Sequence, residues 1–192
     1  MKCLKGTLTE QNLLKAFAGE SQARNRYSFF ASVARKEGYE QIAAVFDETA
    51  EQEKEHAKRF FKLMAGGHAT IHDATYPAGC IGTTVENLLA AAQGENEEWS
   101  TLDPTVAAPA DEEGFPEVAE AFRKVASVEV EHERRYLKLL SRLTDGDFFH
   151  RDGEIWWQCR NCGYICKATD APTVCPTCLH PQSYFEPKRE NY

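Results

Sequence analysis

The chain has no long hydrophobic run, and nothing in it approaches the roughly 20 consecutive apolar residues that a membrane span requires. It also lacks basic runs and any interleaving of basic with aromatic residues. With a formal charge of −8 over 192 residues, that argues against a non-specific grip on nucleic acid. The opening stretch, MKCLKGTLTEQN, has too short an apolar region for a secretory signal, so the cytoplasm is the expected compartment. The seven cysteines are an odd number and unevenly placed: four form two Cys-x-x-Cys pairs near the C-terminus, while Cys3, Cys80 and Cys166 are scattered. This suits metal binding in a reducing compartment better than a disulfide framework. A hydrophobic content of 42% is enough for the core of one medium domain with a small one appended.

What is present, first, is an internal repeat. Residues 34–64 align without gaps on residues 110–140, with Gly38 over Gly114, Phe46 over Phe122, Glu53 over Glu129 and His56 over His132; twelve of the 31 pairs are identical. Each copy carries an apolar stripe in alternating steps of three and four, the signature of a helix packed along one seam. In the second copy the seam reads Val118, Phe122, Val125, Glu129, His132, Tyr136, Leu139, and in the first Ile42, Phe46, Thr49, Glu53, His56, Phe60, Leu63. Glu-x-x-His therefore stands twice where leucine is expected. Burying charge in a bundle is costly unless something neutralises it, and a metal ion is the leading candidate.

Two further helices complete the pattern. Thr7 or Thr9 can cap a helix whose stripe runs Leu13, Ala16, Glu20, Ala23, Tyr27, Phe30, Ala34, with Glu20 as its one charged member. A stop near Gly38 leads straight into the first repeat helix, so these two form an antiparallel hairpin. Residues 66–83 hold four glycines, one proline and no sustained period, and read as a long crossover. Thr83 or Thr84 then caps a third helix with seam Leu88, Ala91, Glu95, Glu98, Leu102, expected to continue past Pro104 with a kink before the second turn at Gly114. Residues equidistant from a hairpin turn lie at one height. The points halfway between Glu20 and His56, and between Glu95 or Glu98 and Glu129, fall at the two turns, so the donors converge on one level. The expected fold is mostly α: a four-helix bundle over 1–146 with one long crossover, a linker over 147–152 and a small metal domain over 153–192.

The tail, WWQCRNCGYICKATDAPTVCPTCLHPQSYFEP, is too short for a free-standing apolar core and needs a metal to hold it. Cys159-x-x-Cys162 and Cys175-x-x-Cys178 supply four thiolates for zinc or a single iron, and the spacing does not choose between them. For the bundle glutamates the bland alternative is a set of solvated ion pairs. Glu51, Glu55, Glu97, Glu131 and Glu133, with Lys54, Lys58 and Arg134 at hand, fit that alternative. Glu20, Glu53, His56, Glu95, Glu98, Glu129 and His132 do not, because all of them replace core residues. One Glu from each of two helices and Glu-x-x-His from each of the other two is the ligand pattern of ferritin-like di-iron and di-manganese bundles.

These features, with the knuckles CRNCGY and CPTC, the stretch FAGESQARNRY and the order of the domains, mean that the chain resembles the rubrerythrins over essentially its whole length. The resemblance implies a ferritin-like di-iron bundle followed by a rubredoxin-like domain. It makes Glu20, Glu53, Glu95, Glu98 and Glu129 carboxylate ligands, His56 and His132 imidazole ligands, and Cys159, Cys162, Cys175 and Cys178 the ligands of one further iron. It implies a cytoplasmic, homodimeric peroxidase that reduces hydrogen peroxide to water, with Glu98 and Tyr27 acting at the site and electrons arriving from an NAD(P)H-linked reductase or a rubredoxin. In this family one iron moves between a histidine and a glutamate as the site changes oxidation state, and the matching pair is His56 and Glu98. One position departs from the family: Asp103 stands where a tyrosine beside the site is expected. Two rival functions remain at this point, a ferritin-like ferroxidase and a zinc-ribbon module that binds a partner.

Overall fold

The structure is a computed structural model and describes residues 3–190, the side chains of residues 102–104 excepted. Five α-helices, α1 (Leu8–Lys36), α2 (Glu40–Leu63), α3 (Thr84–Glu97), α4 (Asp103–Glu112) and α5 (Pro116–Thr144), precede three strands, β1 (His150–Cys159), β2 (Ile165–Asp170) and β3 (Phe185–Pro187). A π-helical turn, Glu98–Leu102, joins α3 to α4, so the third rod of the bundle is continuous. The expected continuation past Pro104 is therefore present, and Pro109 is accommodated inside α4. The π turn is an addition that seam periodicity does not reveal. Among the described residues, no helix is long and apolar enough to cross a membrane.

The two hairpins are built alike. Gly38 and Gly114 take positive φ (86° and 78°), the left-handed conformation that glycine adopts without a Cβ clash. The N–H groups of Tyr39 and Phe115 close the turns on Ala34 and Ala110, at 2.8 and 2.7 Å. Repeat-related glutamates then tie the hairpins together. The Glu37 carboxylate accepts from the N–H of Thr84 at the start of α3, at 2.9 Å, and Glu113 accepts from the N–H groups of Leu8 and Thr9 at the start of α1. Each anion sits where a helix N-terminus leaves donors unpaired and the helix dipole is positive. Thr7 caps α1, and Thr83 with Glu86 forms a full capping box on α3.

The crossover runs along α1, held by Gln11 to Thr70 and His72 and by the Tyr76 hydroxyl donating to the Lys15 carbonyl at 3.0 Å. The bundle core is split in two. One cluster contains Tyr27, Phe30, Phe46, Leu88 and Tyr136, the other Leu13, Phe60, Val118, Phe122 and Val125. On α2, Phe46 and Phe60 lie two turns to either side of Glu53, so the layer between the clusters is the glutamate and histidine level.

The tail forms an antiparallel sheet of order β2-β1-β3, with Trp157 paired to Cys166 and Pro187. β1 begins at His150, inside the stretch expected as linker, because His150 pairs with Asp170 across the sheet. Phe148 belongs to the bundle core and packs edge-on against Tyr39 at 5.3 Å, while Phe149 touches both the bundle core and the tail core. The segment between the units is thus an aromatic hinge anchored in both.

Candidate metal centres

Glu20, Glu53, His56 and Glu129 form one group of donors and Glu53, Glu95, Glu129 and His132 a second; within each, one potential ligand atom per residue lies within 4.8 Å of all the others. Glu53 and Glu129 belong to both. Each comes from a Glu-x-x-His copy, so the two-fold character of the repeat reappears as two adjoining donor groups that share a pair of carboxylates, each completed by one further Glu and one His. The imidazole rings lie 6.0 Å apart at 25°.

His56 Nδ1 is 2.9 Å from both Glu53 Oε2 and Glu129 Oε1, and His132 Nδ1 is 3.0 Å from Glu53 Oε1 and 2.6 Å from Glu129 Oε2. Several of these atoms are close without hydrogen-bond alignment: Glu20 Oε2, Glu53 Oε1, Glu95 Oε2, both Glu129 oxygens and His132 Nδ1 are buried with no hydrogen-bond partner. Buried polar atoms are almost always paired. Lone pairs that converge on common points rather than on each other's hydrogens are what a pair of metal cations requires, and the residues fit the group.

The electrostatics tell the same story. Burial, joined by the charges of Glu53, Glu98 and Glu129, pushes the Glu20 carboxyl well above the usual carboxylate range. Burial also carries Glu95 up to about 8, against the pull of His132. Burial opposes ionisation of Glu53, but the adjacent imidazoles of His132 and His56, the latter hydrogen-bonded to Glu53 Oε2 at 2.9 Å, bring it down to about 2. Burial disfavours both imidazolium ions, yet Glu129 and Glu53 outweigh it and raise His56 to about 10 and His132 to about 12. Without cations the cluster offsets its carboxylates with protons; metal binding displaces those protons.

Tyr27, buried, donates its hydroxyl hydrogen to Glu95 Oε1 at 2.6 Å. Glu98 is half-buried at the first position of the π turn and lies outside both donor groups, although its charge acts on Glu20 and Tyr27. The Asp103 side chain lies outside the described residues. Of the glutamates expected on the solvated face, Glu51, Glu55 and Glu131 pair with Lys54, Lys58 and Arg134, whereas Glu133 accepts from the Trp99 indole at 2.7 Å. Sequence reading missed Gln52, whose Oε1 lies 2.9 Å from His132 Nε2; glutamine next to a seam glutamate looks solvated until α5 packs beside it.

In the tail the Cys159 and Cys178 sulfurs lie 3.8 Å apart and those of Cys162 and Cys175 3.6 Å apart. A tetrahedron with metal–sulfur bonds of about 2.3 Å has edges of about 3.8 Å, so the thiols are spaced for one ion. The His180 N–H draws Cys178 down to about 6. The Tyr164 N–H favours the Cys162 thiolate too, but the competing thiols Cys178, Cys175 and Cys159 push Cys162 up to about 12. Four thiols this close share negative charge poorly without a cation. Cys166 is half-buried beside the tail core, and Cys3 and Cys80 are exposed, so none of the three joins the four.

Comparisons with known proteins match both units of the chain. A family model described as rubrerythrin matches residues 11–140, and one described as rubrerythrin, rubredoxin-like domain matches residues 157–186. Rubrerythrin of Porphyromonas gingivalis is 64% identical over 191 residues, covering 100% of this chain and 95% of its own length. Rubrerythrin of Nitratidesulfovibrio vulgaris is 49% identical over 186 residues, 97% of each. Among solved structures, nigerythrin in its mixed-valence state matches with a TM-score of 0.64 at 30% identity, over 97% of this chain and 89% of that one. With its ferritin-like di-iron bundle and its four-cysteine unit for one iron, the chain belongs to the rubrerythrin family of oxidoreductases.

Proposed function

We propose that this chain is a cytoplasmic peroxidase that reduces hydrogen peroxide to water, H2O2 + 2 H+ + 2 e− → 2 H2O, with electrons relayed through the four-cysteine iron unit from a separate NAD(P)H-linked reductase or a rubredoxin. The observation that carries the reading is the sharing of Glu53 and Glu129 between two donor groups, in a chain that also holds a separate thiolate site. When bound, a pair of ferrous ions supplies the two electrons that the O–O bond takes up, and thiolate-held iron passes single electrons to restore them.

The protein's own part is to hold, orient and enclose. On this reading Glu53 and Glu129 would serve both metal positions, Glu20 with His56 would complete one, and Glu95 with His132 would complete the other. The Tyr27 hydroxyl holds Glu95 in place, and the aromatic layers of Phe46 with Tyr136 and Phe60 with Phe122 exclude water from either end. Glu98, at a π turn of the kind often found at functional sites, would offer its carboxylate in place of the His56 imidazole once bound metals were oxidised. On this reading His56 serves the reduced site and Glu98 the oxidised one. The two units, divided near residues 147–152, work in a homodimer.

Anaerobic purification, metal analysis and a peroxide assay test the proposal together. Iron at two bundle positions and one tail position, with peroxide consumed at the expense of the added reductant, is the expected result. Zinc in the tail of protein isolated from iron-replete cells, or iron oxidised without sustained peroxide turnover, would sink it.

A further inference from the structure

The repeat makes the two Glu-x-x-His copies near equivalents, yet their surroundings differ on one side. His132 Nε2 lies 2.9 Å from Gln52 Oε1, and the Gln52 amide nitrogen donates to Glu48 Oε1 at 3.4 Å. Glu48 is itself fixed by Arg135, whose other nitrogen donates to Thr49 Oγ1, at 2.8 and 2.7 Å. Because the amide nitrogen of Gln52 is engaged by a carboxylate, its carbonyl oxygen faces the imidazole, and that oxygen only accepts. His132 Nε2 must therefore carry a hydrogen, so the proton that metal binding displaces is the one on Nδ1, and Nδ1 is the atom that turns a lone pair to the donor group.

Carried across the repeat, Glu48, Thr49 and Gln52 become Lys124, Val125 and Val128, while Arg135 becomes Arg59. Among the described residues the polar chain has no counterpart on the other side. At the repeat-related position of Gln52 stands Val128, 36% exposed and with no acceptor in its side chain. The His56 side chain is also more open, 14% exposed against 3% for His132. The extra carboxylate breaks the symmetry as well: Glu95 corresponds to Glu20, but Glu98, whose charge acts on Glu20 of the His56 group, corresponds to Ala23.

We propose that Gln52 is a positioning residue that locks His132 as a permanent Nδ1 ligand, and that Val128 at the repeat-related position leaves His56 unlocked, so that the asymmetry of these two residues decides which histidine can leave the site. The inference deepens the reading of His56 and Glu98 as an exchanging pair and rests on both histidines being ligands. It does not rest on peroxide chemistry. Imidazole ligands characteristically have the second ring nitrogen engaged by an outer partner that fixes tautomer and ring plane, and loss of such a partner costs metal affinity.

The test uses full-length protein labelled with 15N at histidine and loaded with zinc(II), a diamagnetic probe that needs neither redox change nor peroxide. In the unaltered protein the His132 Nε2 hydrogen is expected to exchange with water at least about ten-fold more slowly than that of His56, in keeping with one retained hydrogen bond. Gln52→Val should remove that protection and weaken zinc binding at the Glu95–His132 position by about ten-fold or more. Gln52→Glu, which keeps an acceptor, should restore both, and Val128→Gln should slow exchange at His56. Unchanged His132 exchange and zinc affinity in Gln52→Val overturn the proposal. If Gln52→Val fails to load zinc at all, the Gln52→Glu protein decides: recovery supports the lock and continued failure overturns it. Should these results hold while iron-loaded crystals show His56 bound in both oxidation states, the lock stands and the exchange reading alone fails.

Discussion

Tyr27 and Glu95 meet at 2.6 Å across the bundle, one from α1 and one from α3, at the boundary between the metal layer and the aromatic cluster of Phe46 and Tyr136. The bond occupies Oε1 of a carboxylate whose Oε2 has no hydrogen-bond partner. Tyr27 thus determines which way Glu95 turns its remaining lone pairs.

Tyr27→Phe should leave the fold intact, since the ring contacts persist, while Glu95 loses its anchor. A hydrogen bond to a charged group contributes about 1.5–3 kcal/mol. Zinc or ferrous titration should show weaker binding, by about ten-fold, at the Glu95–His132 position with little change at the other. Equal weakening at both positions would show that Tyr27 does not act through Glu95.

Glu98→Ala should leave ferrous binding nearly intact, because the two donor groups are complete without it. The ferric protein should lose iron, lacking a carboxylate that offsets the added charge. Glu53→Ala should lower occupancy in both states, since Glu53 belongs to both groups. Iron content of the three proteins in each oxidation state checks this, and ferrous loss from Glu98→Ala equal to that from Glu53→Ala would make Glu98 an ordinary ligand.

Cys178→Ser should stop steady-state peroxide reduction with a physiological reductase while the bundle stays folded by circular dichroism. The mutant, reduced beforehand and holding iron in the bundle, should still be oxidised once by peroxide. Absence of that single turnover would place the four thiols in the chemistry itself rather than in electron supply.

Phe148→Ala removes a buried ring that belongs to the bundle core and packs on Tyr39 and Phe149. Truncating a buried Phe to Ala costs about 3–5 kcal/mol. The loss should fall on docking of the tail as well as on the bundle, so proteolysis near residues 147–152 should accelerate at a temperature where α1–α5 remain folded. Cleavage unchanged from the parent protein would show that the docking does not depend on this ring.

The sequence alone determined the rods, the turns and the identity of the converging donors. Helical seams are periodic and local, so Glu20, Glu53, His56, Glu95, Glu129 and His132 could be recognised as core positions bearing charge, and distance from Gly38 and Gly114 set their common height. The four cysteines were legible for the same reason, since a knuckle is a local turn of the chain. Tertiary structure decided what depends on faces meeting. It made Glu53 and Glu129 shared members of two groups, placed Glu98 on a π turn outside both, seated Phe148 in the bundle core and brought Gln52 against His132. Periodicity places a residue on its own helix but does not say which side chain of the neighbouring helix will fill the space beside it. That is settled only by packing, where a single methylene's difference in reach decides whether two polar atoms touch.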